Sequence, residues 1–181
     1  NTGYAFTVHV VDDPRVNAIA FPGGHVVVFT GLLAEAASAE EVAAVLAHEF
    51  QHVLHRHGLG QLARRLGCMG VIALVTRGGG IADVARRADT FLQLAYGREE
   101  EAEADRDGLE LLYRARLEVE AMASFFKRLE IRAPGDVPEF LSTHPATARR
   151  IDGLQRRAAG VGPAVSEPLD IDWERVRGSL R

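Results

Sequence analysis

Ala47-His48-Glu49-Phe50-Gln51-His52-Val53 lies inside a segment with helical periodicity. In a helix, residues four apart differ by about 40° in direction and about 6 Å in height. His48 and His52 therefore project from one face and can hold a single metal ion. Glu49 is turned about 100° from His48, so it can lean toward a water on that ion without ligating it. Catalytic zinc takes neutral imidazoles and keeps one position open for water, and the His-Glu-x-x-His spacing supplies two of its protein ligands.

The helix around this motif has its own punctuation. Ser38-Ala39-Glu40-Glu41 reads as a capping box, and apolar periodicity runs through Val42, Val45, Leu46, Phe50, Val53 and Leu54. Gly58 is a stop signal, which gives a helix over 38–57. Ahead of it the sequence reads as a small antiparallel sheet over residues 4–30. Tyr4 to Val11 alternates, with Phe6, Val8 and Val10 on the half-buried side. Asn17 to Phe21 and His25 to Thr30 are two more short strands, separated by Pro22-Gly23-Gly24. His9 and His25 read as residues on the sheet surface.

Behind the motif, Arg77 to Gly80 reads as a turn. Residues 84–116 form a long helix carrying Arg98-Glu99-Glu100-Glu101-Ala102-Glu103-Ala104-Asp105. Glu118 to Arg132 is a further amphipathic helix with Met122, Phe125, Phe126 and Leu129 as its stripe. Pro134 to Pro138 is a loop, and Ser142-Thr143-His144-Pro145 starts another helix with Pro in its first turn. The Arg149-Arg150 and Arg156-Arg157 pairs have helical spacing and read as a solvated face. Residues 1–160 are expected to form a single domain, its C-terminal helices filling 118–160. Residues 161–181, with Trp173, form a tail packing back on it.

Zinc needs a third protein ligand. His55 shares the face of His48 but lies about 10 Å along the axis, too far to share an ion on a straight helix. Both His55 and His57 read as helix-end or surface residues. The acidic run is the better source. Glu101 and Asp105 are four apart and share a face, and Gly97, Ala104 and Gly108 on that face permit close approach to the first helix. Glu101 is the expected ligand. Asp105, one turn on, is placed to accept the second ring N–H of a ligating His. Glu99, Glu100 and Glu103 point away, as a solvated face.

Composition sets outer bounds. The chain of 181 residues is 47% hydrophobic and 25% charged, as in ordinary globular domains. A net charge of −4 gives no general pull toward nucleic acid. Cys68 is the only cysteine, so neither an internal disulfide nor a cysteine-based metal site is available. Leu66 to Val75, the most apolar run, falls short of the ~20 residues that cross a bilayer. Asn1 as first residue suggests an excised or processed fragment, with an export signal or membrane anchor upstream.

The combination of His48-Glu49-Phe50-Gln51-His52-Val53, Arg56-His57 and Glu101-Ala102-Glu103-Ala104-Asp105 resembles the HtpX and CAAX prenyl protease-type zinc metallopeptidases, within the gluzincins. Asn17-Ala18 to Pro22-Gly23-Gly24, Val26-Val27-Val28, Gly31-Leu32-Leu33, Thr143-His144-Pro145 and Arg150-Ile151 agree with the same family, in its order. Gln51 and Gly97 depart from it, at positions that are not proposed ligands. The stretch 59–82 is too short for a membrane hairpin, so the resemblance is to the soluble or peripheral branch, and a prenyl substrate is set aside.

This resemblance implies an α+β, mainly helical zincin-like fold and a zinc-dependent endopeptidase acting on unfolded or misfolded polypeptides. One Zn2+ is expected on His48, His52 and Glu101, with Glu49 as general base. His144, on the His-Pro element, is implied as the donor to the oxyanion. Gly24, His25, Val26, Val27 and Val28 are expected to form an edge strand that takes an extended polypeptide by strand addition. No nucleic acid is expected as partner, and the compartment is expected to be extracytoplasmic (periplasmic) or membrane-associated. The rival readings are a zinc-binding chaperone-like or scaffold module without proteolysis, and a gluzincin aminopeptidase. Glu49 argues against the first. The second lacks a motif to anchor a free amine.

Overall fold

The computed structural model describes residues 4–76, 95–131, 138–145, 148–161 and 166–180. The expected turn at 77–80, residues 84–94 of the expected helix and most of the 134–138 loop lie outside the described residues.

Three strands open the chain: β1 Thr7–Val11, β2 Ala18–Phe21 and β3 His25–Phe29. Their order is β1-β3-β2, with β1 parallel and β2 antiparallel to β3. The sheet is mixed rather than antiparallel, and β3 is its centre rather than its edge. Val26 faces Val8 on one side and Ala20 on the other, and Val27 and Val28 are likewise paired twice. Gly24, His25, Val26, Val27 and Val28 therefore do not form the free edge expected to receive a polypeptide. The physical reason lies in the run itself: Val26 to Phe29 are at most 2% exposed, and strands covered on both faces read as continuous apolar runs. β1 takes an outer position instead. Val8 and Val10 are 42% and 60% exposed, so the face expected to be half-buried points outward. Alternation marks two faces without saying which one is covered. Between β2 and β3, Gly24 has φ 89° and a Cβ there would strike the carbonyl oxygen of Ala5, so the turn requires glycine.

Two helices follow, α1 Thr30–Glu35 and α2 Ala39–Leu54. Ser38 caps α2 by accepting from the Glu41 N–H at 3.3 Å. The Glu41 carboxylate reaches back one residue further than a capping box, to the Ala37 N–H at 2.8 Å, and also takes Arg128 at 2.6 Å. α2 ends at Leu54, short of the expected His57. His55 is its C-cap, and Arg56 adopts a left-handed φ of 58°. Gly58 is not the stop; it lies in the first turn of α3 His57–Thr76, which is bent where Gly67 adopts φ 68°.

Residues 95–97 are not helical, so the acidic run opens α4 Arg98–Arg114 rather than continuing a helix from Val84. The Glu100 carboxylate accepts the Gly97 N–H at 2.8 Å and fixes that start. α5 Ala121–Glu130, α6 Glu139–Thr143, α7 Ala148–Val161 and α8 Trp173–Gly178 complete the described elements. Ser142 and Thr143 end a helix rather than begin one.

α2 packs on β2 and β3 on one side and on α4 and α5 on the other. The core joins Val26 and Val28 of the sheet, Ala44 and Val45 of α2 and Leu109 and Leu112 of α4 to Met122, Phe125, Phe126 and Leu129 of α5, as the stripe of α5 predicts. Phe140 and Leu154 belong to the same core. Each large side chain buried there contributes about 1.5–3 kcal/mol, which gives the motif helix a fixed seat. Residues 166–180 return across the domain: the Leu169 N–H donates to Glu40 at 2.9 Å and Trp173 Nε1 donates to the Ala36 carbonyl at 2.9 Å.

Candidate metal centre

His48 and His52 project from α2 toward α4. The two helices approach closely because Gly108 of α4 lies against the backbone of His48: a Cβ at 108 would stand 3.3 Å from both the Cα and the N of His48. Ala104, one turn earlier, is fully buried. Gly97 caps α4 and is exposed, so the expected small-residue stripe narrows to Ala104 and Gly108.

Glu101 reaches the histidines from this position. His48 Nε2 and His52 Nε2 are 3.0 Å apart, and each is 3.6 Å from a Glu101 carboxylate oxygen. Ligands at about 2.0–2.1 Å from one tetrahedral ion lie about 3.3–3.4 Å from each other, so the spacing is that of a coordination sphere. Tautomers sharpen this. His48 Nδ1 is 3.1 Å from Asp105 Oδ1, an acceptor; with the proton on Nδ1, Nε2 is left as a lone pair. Two imidazole lone pairs and a carboxylate converging in a buried space repel one another unless a cation stands between them. The residues fit a divalent metal of the imidazole-carboxylate class.

Asp105 occupies the place expected of it and is itself held. Arg150 of α7 donates from Nε and Nη2 to its two oxygens at 2.8 and 2.7 Å, and from Nη1 approaches Glu101 Oε2 at 2.6 Å. Burial works against the charged form of Asp105, yet the Arg150 and His48 hydrogen bonds bring its pKa down to about 2. For Glu101 burial also pushes upward, and His144, His48 and Arg150 outweigh it and hold the carboxyl below its ordinary value.

His52 has a different support, which the sequence reading missed. Its Nδ1 faces His57 Nδ1 at 2.9 Å, and His57 Nε2 faces Glu103 Oε2 at 3.1 Å. With His52 Nε2 turned to the donors, its proton sits on Nδ1 and donates to His57, which donates in turn to Glu103. His57 is 7% exposed rather than a surface residue, and Glu103 is engaged rather than merely solvated. The left-handed turn at Arg56 brings His57 back against α2. Arg-His directly after the motif was the available signal. Arg150 was likewise placed on a solvated face, but its side chain is only 11% exposed, with its guanidinium 4.7 Å over the Phe126 ring.

Glu49 is fully buried, and neither carboxylate oxygen has a hydrogen-bond partner among the described residues. His144 Nε2 lies 3.3 Å from its Oε1. Burial raises its pKa to about 8, with His48 pulling the other way and Glu101 adding to the rise. A cation among the adjacent donors favours the carboxylate form.

His144 joins the cluster more closely than an outlying donor would. Its Nδ1 is 3.2 Å from His48 Nε2 and 3.0 Å from Glu101 Oε1. His48, His52, Glu101 and His144 offer ligand atoms that all lie within 4.8 Å of one another. Its ring stacks on Phe140 at 4.7 Å. Tyr96, also missed from sequence, stacks on His52 at 3.8 Å and ties its N–H to the Thr143 carbonyl at 3.2 Å, so it braces both histidines.

The model of peptidase family M48 matches residues 1–158. A putative β-barrel assembly-enhancing protease of Vibrio cholerae is 36% identical over 95% of this chain and 39% of its own length. Mitochondrial metalloendopeptidase OMA1 of Saccharomyces cerevisiae is 36% identical over 85% of this chain and 47% of its own. The human mitochondrial metalloendopeptidase OMA1 is 30% identical over 83% of this chain and 32% of its own. The chain spans less than half the length of these curated relatives.

Proposed function

The chain belongs to peptidase family M48, and on that premise we propose that it is a zinc-dependent endopeptidase whose catalytic centre is His48, His52, Glu101 and Glu49. The observation that carries this reading is the convergence of two imidazole Nε2 atoms and one carboxylate at 3.0–3.6 Å, with an unpartnered buried carboxylate beside them.

His48, His52 and Glu101 would hold zinc, which when bound would supply Lewis acidity for a scissile carbonyl and for water. Glu49 accepts the proton of the attacking water at its free carboxylate oxygen and delivers it to the leaving amine. Asp105 keeps the proton of His48 on Nδ1, and His57 accepts the Nδ1 proton of His52, so both rings present Nε2. Arg150 holds the Glu101 and Asp105 carboxylates charged and in place. As seated, His144 lies among the donors. Swung toward the substrate, its ring N–H serves the developing oxyanion.

The substrate class is a polypeptide in extended, unfolded form. β2, the outer strand next to α2, replaces β3 as the strand beside the catalytic helix. A shallow pocket lined by Ala20, Gly23, His52, Arg56 and Leu59 opens between β2 and the end of α2. An extracytoplasmic or membrane-associated setting is part of the proposal, supported by relatives named for mitochondria and for β-barrel assembly. Among the described residues no helix is long and apolar enough to cross a membrane.

A zinc-binding scaffold without proteolysis would have no use for a buried carboxylate such as Glu49, so the protease reading is preferred. Incubation with unfolded casein decides between them. Internal cleavage, abolished by a zinc chelator and restored by added zinc, supports the proposal, and an intact substrate with zinc bound refutes it.

A further inference from the structure

We propose that His55, Glu103 and Asp107 form a second divalent-cation site, partly open to solvent and wired to the first centre through Glu103. The three side chains offer ligand atoms within 4.8 Å of one another. His55 Nε2 is 2.8 Å from Asp107 Oδ2 and His55 Nδ1 is 3.5 Å from Glu103 Oε2. Glu103 and Asp107 are four apart on α4 and present their carboxylates to the C-cap of α2.

The geometry suits a cation: His55 has a carboxylate oxygen beside each ring nitrogen. A divalent ion taking one ring nitrogen and an oxygen from each carboxylate satisfies all three groups, and water completes its sphere because their side chains are 29%, 39% and 30% exposed. One imidazole and two carboxylates suit zinc, cobalt, nickel or manganese. They lack the thiolate that selects Cu(I) and the all-oxygen cage typical of calcium.

Arg106 is the built-in competitor. It donates to Asp107 from Nε at 2.7 Å and from Nη2 at 3.1 Å, and approaches Glu103 at 3.6 Å. The guanidinium must swing off Asp107 for the ion to enter, which weakens the site and makes its occupancy respond to metal concentration.

The wiring follows from one oxygen. Glu103 Oε2 is the acceptor for His57 Nε2, and His57 Nδ1 accepts from His52 Nδ1. An ion that draws on Glu103 takes electron density from the end of that chain, so His52 becomes a poorer ligand. Excess cation at the second site therefore loosens the first ion, an inhibitory device requiring no movement of the backbone.

Calorimetric titration of Zn2+ alone into the zinc-loaded protein tests the site. Wild type is expected to take up a second equivalent more weakly than the first. His55→Ala and Asp107→Asn are expected to lose that equivalent while keeping the first, and Arg106→Ala to bind it more tightly. A wild type that binds one equivalent only, or variants that retain the second, would overturn the site. The wiring is read separately, as the rate at which a chromophoric chelator removes the first zinc. That rate is expected to rise several-fold once the second equivalent is bound in wild type and to stay constant in Asp107→Asn. An unchanged rate in wild type overturns the wiring.

Discussion

Arg150 grips Asp105 through two parallel hydrogen bonds, at 2.8 and 2.7 Å, while that same Asp105 stands 3.1 Å from Nδ1 of His48. A helix far along the chain thus sets the orientation of a ligand on the motif helix. Removing the guanidinium leaves two buried carboxylates without their cation. Arg150→Ala is expected to weaken metal binding by about 10–100-fold and to lower the melting temperature. Lys at this position restores charge but not the planar fork, so Arg150→Lys should recover little affinity. Competition with a chelator of known affinity measures both variants, and wild-type affinity in Arg150→Ala would remove it from the site.

Glu49→Gln keeps the shape of the side chain but cannot accept a proton. The variant is expected to bind zinc as the wild type does and to lose casein hydrolysis by several orders of magnitude. Zinc content and cleavage measured on one preparation separate these effects, and substantial residual cleavage would refute the general-base role.

Gly108→Ala tests the close approach of α4 to α2. Alanine gains about 1 kcal/mol of helix propensity over glycine. Its Cβ would stand 3.3 Å from the backbone of His48, and overpacking a seated helix costs about 1–3 kcal/mol. The net expectation is a loss of stability near 1 kcal/mol in chemical denaturation, with weaker zinc retention. A variant as stable as wild type, with zinc unchanged, would show that the helices have slack at this point.

Trp173 is the only tryptophan, and its indole N–H reaches the Ala36 carbonyl at 2.9 Å. Trp173→Ala should cost about 2 kcal/mol of stability, read by circular dichroism during urea unfolding. Zinc content is expected to stay constant because the contact is to Ala36, ahead of α2, and His48 lies more than two turns into that helix. Unchanged stability would mean that the tail only rests on the domain.

Much of the centre was legible because it rests on helical geometry. His48, His52 and Glu49 follow from spacing alone, and the Glu101 and Asp105 face was marked by Ala104 and Gly108. What escaped depended on contacts between distant segments. His57 faces the site only because Arg56 turns left-handed, a conformation with no strong marker in a non-glycine residue. Arg150 meets Asp105 across the fold, and an arginine pair at helical spacing does not say which member turns inward. The central place of β3 was encoded in Val26-Val27-Val28-Phe29, since a run buried on both faces is what a middle strand looks like. Reading the same run as an edge put the substrate strand in the wrong place.

Zinc content per chain in Glu101→Ala against wild type, after dialysis against a weak chelator that strips exposed sites, tests the central claim most directly. With His48, His52 and Glu101 as ligands, wild type retains one zinc per chain and Glu101→Ala, though folded, retains little or none. Full zinc occupancy in the variant, with unchanged affinity, would contradict it.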